Sequence, residues 1–346
     1  MEDIQIGNFI IGKNRKPFII AEMSGNHNQS IERAFRIVDA AAAAGAHAIK
    51  LQTYTADTIS MKGVLTITDE KSLWHGREMY ELYQEAYTPW EWHKAIFERA
   101  HEKGMVAFSS PFDETSVDFL EELNVPAYKI ASFENSHIPL LKRVARTGKP
   151  VIVSTGVATI AEIDECVRVL KKHGTKDLIL LKCTSTYPAT PENTNLNTIP
   201  HLALLHNCIT GLSDHTMGTG VSIAAVALGA RVIEKHFTLR RSDGGVDSAF
   251  SLEPEELASL VVESERAFLA LGKIQYGVQD VEVNSVKGKR SIYVSKEIKE
   301  GEILSPDNLR IIRPAFGLET RYWDIVIGRK AMKNLKPGMP LSWEDI

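Results

Sequence analysis

At 346 residues, with 44% hydrophobic and 24% charged side chains and a formal net charge of −4, the chain has the composition of a globular protein able to bury a sizeable core. Slight acidity without a long basic run argues against nucleic acid, and the short Ala40–Ala44 run, flanked by Asp39 and Gly45, is no membrane span. Three widely spaced cysteines, Cys166, Cys183 and Cys208, imply no disulfide framework, and the acidic opening MEDIQIGNF lacks the features of a signal peptide, so a cytoplasmic protein is expected.

Phe18–Ala21 reads as a short buried strand that stops on Glu22, and 31–44 as an amphipathic helix closed by Gly45. Ala48-Ile-Lys-Leu-Gln52 is the second strand, its alternation setting Ala48, Lys50 and Gln52 on one face and Ile49 and Leu51 on the other. The stretch from Thr53 to Tyr87, with Trp74, Tyr80 and Tyr83, is too long for a simple connection and reads as a functional loop. Thr88-Pro-Trp-Glu91 then has the form of a helix start, with Thr88 as N-cap and Glu91 completing a capping box.

Six more strands follow, at 105–109, 127–130, 151–154, 178–183, 209–213 and 232–236, most of them leading into a helical pattern. Eight strand–helix units are what a (β/α)8 barrel requires, and such a barrel takes roughly 250 residues. The remaining residues divide into a closing helix at 253–271, a stretch without periodicity, and an internal repeat. In that repeat Ile298–Leu309 aligns without gaps on Leu335–Ile346, with Lys, Gly, Leu and Ser identical. A small pseudo-symmetric β-domain is expected there. The expected organisation is a barrel at 1–275, a linker at 276–287 and the β-domain at 288–346.

Barrels carry their chemistry at the carboxyl ends of the strands, and here those ends hold Glu22, Lys50, Gln52, Ser110, Lys129, Ser154, Ser185, Ser213, His215, Glu234 and His236. Lys50 and Lys129 read as two point charges for a phosphate or carboxylate, with a structural ion pair to Glu22 or Glu234 as the other reading. Ser110, Ser132, Ser154, Ser185 and Ser213 add hydroxyl donors around the rim. His215 and His236 end neighbouring strands and suit a divalent metal. His27, after the first strand, is within reach of the site, whereas Cys183 reads as a small buried hydrophobe.

These residues, in this order, resemble the sialic acid synthase family. The resemblance rests on Ile20-Ala-Glu22, Gly25-Asn-His27, Lys50-Leu-Gln52, Ser110-Pro-Phe112, Tyr128-Lys-Ile130, Ser154-Thr-Gly156, Tyr187-Pro188, Gly211-Leu-Ser-Asp-His215 and Glu234-Lys-His-Phe-Thr238. The terminal repeat is similar to the antifreeze-like (SAF) domain of those enzymes, and Ile312-Arg-Pro314 to its arginine segment. Within the family, Ala21–His27, Thr88–His93, Ala131–Asn135 and Gly244–Glu253 resemble the pseudaminic acid branch, with N-acetylneuraminate or legionaminic acid synthesis as the alternative.

The resemblance implies condensation of phosphoenolpyruvate with an amino-sugar aldehyde, assisted by a metal such as Mn²⁺ on His215 and His236. It implies that Glu22 orients the sugar, that Glu234 or Asp247 moves protons, and that Gln52, Glu134 and Tyr187 contact substrate. It further implies a homodimer in which the SAF domain supplies Arg313 to the partner's site. Phe133, where the sialic branch carries glycine, fits a less hydroxylated sugar. A phosphorylated-sugar synthase lacks the terminal repeat, and ice binding leaves the lysines and histidines unexplained.

Overall fold

Eight parallel strands close on themselves in the computed structural model of the chain, which describes residues 2–70 and 72–346. They are β3 (Phe18–Glu22), β4 (Ala48–Thr53), β5 (Val106–Pro111), β6 (Tyr128–Ile130), β7 (Val151–Ser154), β8 (Leu178–Cys183), β9 (Ile209–Asp214) and β10 (Val232–His236), and β10 pairs back on β3. An antiparallel hairpin, β1 (Ile4–Ile6) and β2 (Phe9–Ile11), precedes them. The sequence signals this hairpin only through the apolar residues either side of Gly7-Asn8, and Gly7 takes a φ of +58° that favours glycine.

Helices clothe the barrel by burying one stripe each. In α1 (Ile31–Ala43), Ala34, Ile37, Val38 and Ala41 follow the i, i+3, i+4, i+7 spacing and are fully buried, while Ser30 caps the first turn by accepting from the Arg33 amide. Burying Ile37 and Val38 contributes about 1.5–3 kcal/mol each. The helix Ile160–His173 repeats the scheme, with a capping box between Thr159 and Glu162. The remaining helices of eight residues or more are Met79–Ala86, His93–Glu102, Glu114–Glu122, Ile138–Ala145, Thr198–His206, Gly220–Ala227 and Pro254–Leu271.

One helix start departs from expectation. Thr88 caps nothing: its hydroxyl pairs with His27 Nε2 at 3.2 Å, Trp90–Trp92 is a 3-10 turn without a side-chain cap, and the α-helix begins at His93. A buried imidazole offers the hydroxyl a better partner than a helix end that water can reach.

The chain divides into two compact units, the first running to Gly272 and the second Lys273–Ile346. Within the second, β11 (Ser291–Val294) and β12 (Leu309–Ile312) pair antiparallel over a small core of Ile292, Ile298, Leu304, Leu309, Leu335 and Leu341. The exposed stretch before it ends in a 3-10 helix, Asp280–Gly288, where the sequence suggests only a linker. The repeat has a physical basis. Ile298 and Leu335, its first residues, exchange both backbone hydrogen bonds at 3.0 and 2.8 Å, as a local two-fold requires. Gly301 and Gly338 hold φ of +80° and +88°. Asn308 and Asp345 accept from the amides of Ser305 and Ser342 at 2.8 and 2.7 Å.

Candidate active site

Strand register brings the charged residues together before any side-chain preference acts. Glu22 lies opposite both Lys50 and His236, Gln52 opposite Ser110, and Glu234 opposite Ser213. All sit at the carboxyl end of the barrel. Lys50 Nζ forms an ion pair with Glu22, reaches Ser110 Oγ at 3.2 Å, and lies 3.9 Å from Glu234. Lys129 Nζ donates to Ser154 Oγ at 2.6 Å and stands 3.5 Å from Glu234. Ser213 Oγ donates to the same oxygen of Glu234, Oε1, at 2.9 Å, and Gln52 Nε2 to Glu22 Oε1 at 3.1 Å. The ion-pair reading of the lysines is therefore present in the geometry, but as an incomplete network. Glu22 Oε2 takes the Lys50 ion pair, but Glu234 Oε2 is buried without a hydrogen-bond partner, 3.9 Å from Lys50 Nζ.

Electrostatics differ across this quartet. Burial raises Glu22 above the ordinary carboxylate range, and Glu234 adds to the rise against the opposing pull of Lys50. Burial also acts to raise Glu234, but Lys129 and Lys50 together outweigh it and hold that carboxyl low. Burial lowers Lys129, whereas at Lys50 the two glutamates outweigh burial and raise it.

The hydroxyl rim is gathered too. Ser132 Oγ accepts from the Gly156 amide at 3.1 Å, and a Cβ on Gly156 would fall 2.6 Å from Ser132 Oγ and 2.2 Å from Ser185 Oγ. Only glycine lets these groups approach. Glu134 follows Ser132 in a 3-10 turn; burial lifts its carboxyl to about 7, and its Oε2 has no partner. Phe133 is 60% exposed and turns to solvent.

The imidazoles stand beside the quartet. The rings of His215 and His236 are 5.3 Å apart, and Tyr187 packs on them at 4.5 and 6.4 Å. His215 Nδ1 lies 2.9 Å from the Thr184 carbonyl, so Nε2 is the nitrogen left for a ligand. His236 Nδ1 is buried with no hydrogen-bond partner, 3.6 Å from Asp247 Oδ2, and burial with the His215 and lysine charges keeps it neutral. Burial raises Asp247, which accepts a hydrogen bond from Ser24. Among the described residues no three or more carboxylates, thiols or imidazoles form a closed metal cage. An orphaned imidazole nitrogen next to a second imidazole fits a divalent cation whose other positions go to substrate and water.

Two residues join the site to which the sequence assigns no role there. Cys183 lies 3.9 Å from His215 Nδ1 and 3.7 Å from Ser185 Oγ. Burial works against its ionisation, but His215 and Ser132 pull it down to about 6, so it is a polar partner and not the inert hydrophobe expected. Trp74, from the long loop, donates through Nε1 to the Val246 carbonyl at 3.0 Å and packs on Tyr187 at 5.6 Å. His27 does not reach the site. It is buried against Trp92, bonded at both nitrogens and lowered to about 4 by burial. His93 is likewise buried away from the site, against Thr53 and the Pro89 carbonyl. Arg313 belongs to the second unit, where it is exposed and has no hydrogen-bond or ion-pair partner among the described residues.

With this geometry in place, the likeness to known proteins has a footing in chemistry. The NeuB family pattern matches residues 37–276 and the SAF domain pattern residues 289–346. Over 352 aligned positions the chain is 44% identical to the pseudaminic acid synthase of Campylobacter jejuni, covering 99% of each chain. It is 39% identical to the pseudaminic acid synthase of Helicobacter pylori, over 95% of this chain and 98% of that one. Among solved structures it is similar to the N-acetylneuraminic acid (sialic acid) synthetase from Leptospira borgpetersenii in complex with citrate. There the identity is 35% and the TM-score 0.73, with 82% of this chain and 95% of that one covered.

Proposed function

The chain belongs to the NeuB family, and from that premise we propose that it is a pseudaminic acid synthase. It condenses phosphoenolpyruvate with 2,4-diacetamido-2,4,6-trideoxy-altrose and releases phosphate. The observation that supports this reaction best is the buried pair Lys50 and Lys129, facing Glu22 and Glu234 beside two imidazoles.

Lys50 and Lys129 hold the phosphate and carboxylate of phosphoenolpyruvate, and Ser110, Ser132, Ser154, Ser185 and Ser213 donate around them. Glu22 and Gln52, bonded to each other, orient the sugar, and Glu134 and Tyr187 line its other side. The enol carbon forms a bond to the aldehyde carbon, water adds to the adjacent carbon, and phosphate departs by C–O cleavage. The attacking water loses two protons in all, one passed to the aldehyde oxygen through a carboxyl relay at Glu234 or Asp247 and the other to the departing phosphate as the ketone forms, so the sequence balances. His215 and His236 hold a divalent cation, expected to be Mn²⁺, which when bound polarises the aldehyde as a Lewis acid. Cys183 and the Thr184 carbonyl fix the His215 ring.

Phosphate release from phosphoenolpyruvate, measured with a panel of amino-sugar acceptors and Mn²⁺, tests this reading. The altro sugar is expected to give a kcat/KM at least ~10-fold above that of N-acetylmannosamine, a margin within reach of pocket contacts. Preference for N-acetylmannosamine would move the chain to sialic acid synthesis, and no phosphate release would overturn the reaction itself.

The SAF unit completes this site in a homodimer, with Arg313 serving the partner's sugar. The exposed, unpartnered guanidinium and the resemblance support this, and two-fold dimers are the commonest assembly. Arg313→Ala should raise KM for the sugar more than for phosphoenolpyruvate. Mixed with inactive Lys129→Ala subunits, it should recover activity through heterodimers carrying one intact site. No recovery after verified subunit exchange contradicts the arrangement.

A further inference from the structure

Arg231 stands at the foot of β10, at the end of the barrel opposite the lysines and histidines. It is 8% exposed, and its guanidinium lies over the Phe268 ring at 4.9 Å. Nε donates to the Lys13 carbonyl at 2.8 Å, and Nη1 to the carbonyls of Ala230 and Val226 at 2.8 and 3.3 Å. Those bonds use three of the five N–H donors a guanidinium carries. Nη2 has no hydrogen-bond partner, and no carboxylate pairs with the charge, among the described residues. Burial pulls the group below its ordinary pKa with nothing acting in the other direction. Elsewhere in this barrel buried cations face carboxylates, as Lys50 and Lys235 do. A buried charge left without a counter-ion is costly unless something completes it.

A cavity of about 390 Å³ adjoins this group, lined by Arg231, Lys13, Thr210, Pro200, Ala203 and Leu204 among others, none of them acidic. Lys13 has no ion pair among the described residues, the Thr210 hydroxyl makes no hydrogen bond there, and Leu204 is 83% exposed. The cavity therefore combines an unpaired buried cation, a second cation, a free hydroxyl and an apolar wall. A purely structural arginine, pinning the Lys13 segment to the barrel, accounts for the three carbonyl bonds but not for the open cavity or the unused donors.

We propose that this cavity binds a small organic anion, a carboxylate or phosphate monoester with an apolar body, whose charge meets Arg231 and Lys13 and whose body lies on Pro200, Ala203 and Leu204. The site is separate from the barrel mouth and does not depend on the reaction proposed for it.

Calorimetric titration of the full chain with phenyl phosphate, benzoate and inorganic phosphate tests the proposal, the first two separating phosphate from carboxylate recognition. At least one of the organic anions should bind saturably, and more tightly than inorganic phosphate by about tenfold, which corresponds to about 1.4 kcal/mol. Arg231→Gln should weaken that binding at least ~10-fold. Should that variant fold poorly, Ala203→Trp fills the cavity from a partly exposed helix position and should abolish binding with Arg231 intact. Lys129→Ala, which strips a cation from the barrel mouth, should leave it unchanged. Equal binding by wild type and Ala203→Trp, loss of binding in Lys129→Ala, or no saturable binding of either organic anion to about 10 mM, a range where even contacts worth ~3 kcal/mol register, would overturn the assignment.

Discussion

The last two barrel strands carry buried charges on both faces, and the faces treat them differently. Asp214 and Lys235, directed away from the mouth, form an ion pair at 3.0 Å. Asp214 also accepts from the Thr216 amide and hydroxyl, both at 2.8 Å, and from Ser222 Oγ at 2.6 Å, while Lys235 donates to the Thr216 carbonyl at 2.6 Å. One residue away along each strand, Ser213, Glu234 and His236 face the mouth. There Glu234 Oε2 and His236 Nδ1 are buried without hydrogen-bond partners. A saturated network fixes a fold, because every lone pair is already spent. An unsaturated one is a standing cost that binding of substrate and metal relieves. The same strands thus separate stability from chemistry by alternation alone.

Removing one cation from the inner face should have the largest consequence. Lys129→Ala should lower kcat/KM for phosphoenolpyruvate by roughly 10²–10³-fold, the scale for deleting a preorganised charge or donor, and steady-state kinetics check it. His236→Ala should cost about 10²-fold in metal-supported turnover and weaken metal binding in a direct titration, while the far-ultraviolet spectrum stays that of the folded chain. On the outer face, Ser222→Ala removes one donor from a charged acceptor and should cost ~1.5–3 kcal/mol in urea unfolding with turnover intact. A catalytic loss without destabilisation there would erase the distinction.

A further effect concerns pH. Glu134 titrates at about 7 in the folded chain against an ordinary 4.5. Its folded pKa is raised, so the stability it contributes is present below about 4.5 and lost as pH rises through about 7. Glu134→Gln should flatten the fall in unfolding free energy across that window. A pH profile unchanged by the substitution would mean that the carboxyl is not desolvated.

How much of this was legible in the sequence follows the range of the interactions. Strands and mouth residues were legible because an apolar run that stops on Lys, Ser or His records burial and alternation within five or six positions. Glu22, Lys50, Lys129, Glu234, His215 and His236 stand together at the barrel mouth, while His27 does not reach them. The role of Cys183 was not legible, because its partner His215 is 32 residues away, and Trp74 meets Val246 across 172. Local pattern also misled at Thr88, whose capping signature lost to His27, 61 residues distant. In the terminal unit the repeat extends further in hydrogen bonding than in sequence. The amides of Leu304 and Leu341 bond to the carbonyls of Arg329 and Ile292, and those of Gly301 and Gly338 to Ala331 and Val294, at equivalent positions with dissimilar side chains. Backbone pairing preserves a two-fold that side chains no longer spell out.

The contrast between the faces is most directly tested by a matched pair of isosteric changes, Glu22→Gln and Asp214→Asn, each neutralising a carboxylate paired with a buried lysine. Urea unfolding and turnover are measured on both. Asp214→Asn should lose ~3–5 kcal/mol by leaving Lys235 uncompensated, with kcat per folded molecule retained. Glu22→Gln should change stability by no more than about 1 kcal/mol, since Lys50 keeps a second carboxylate, Glu234, at 3.9 Å while Lys235 keeps none, and should abolish turnover. Equal destabilisation by the two, or an active Glu22→Gln enzyme, would contradict the account.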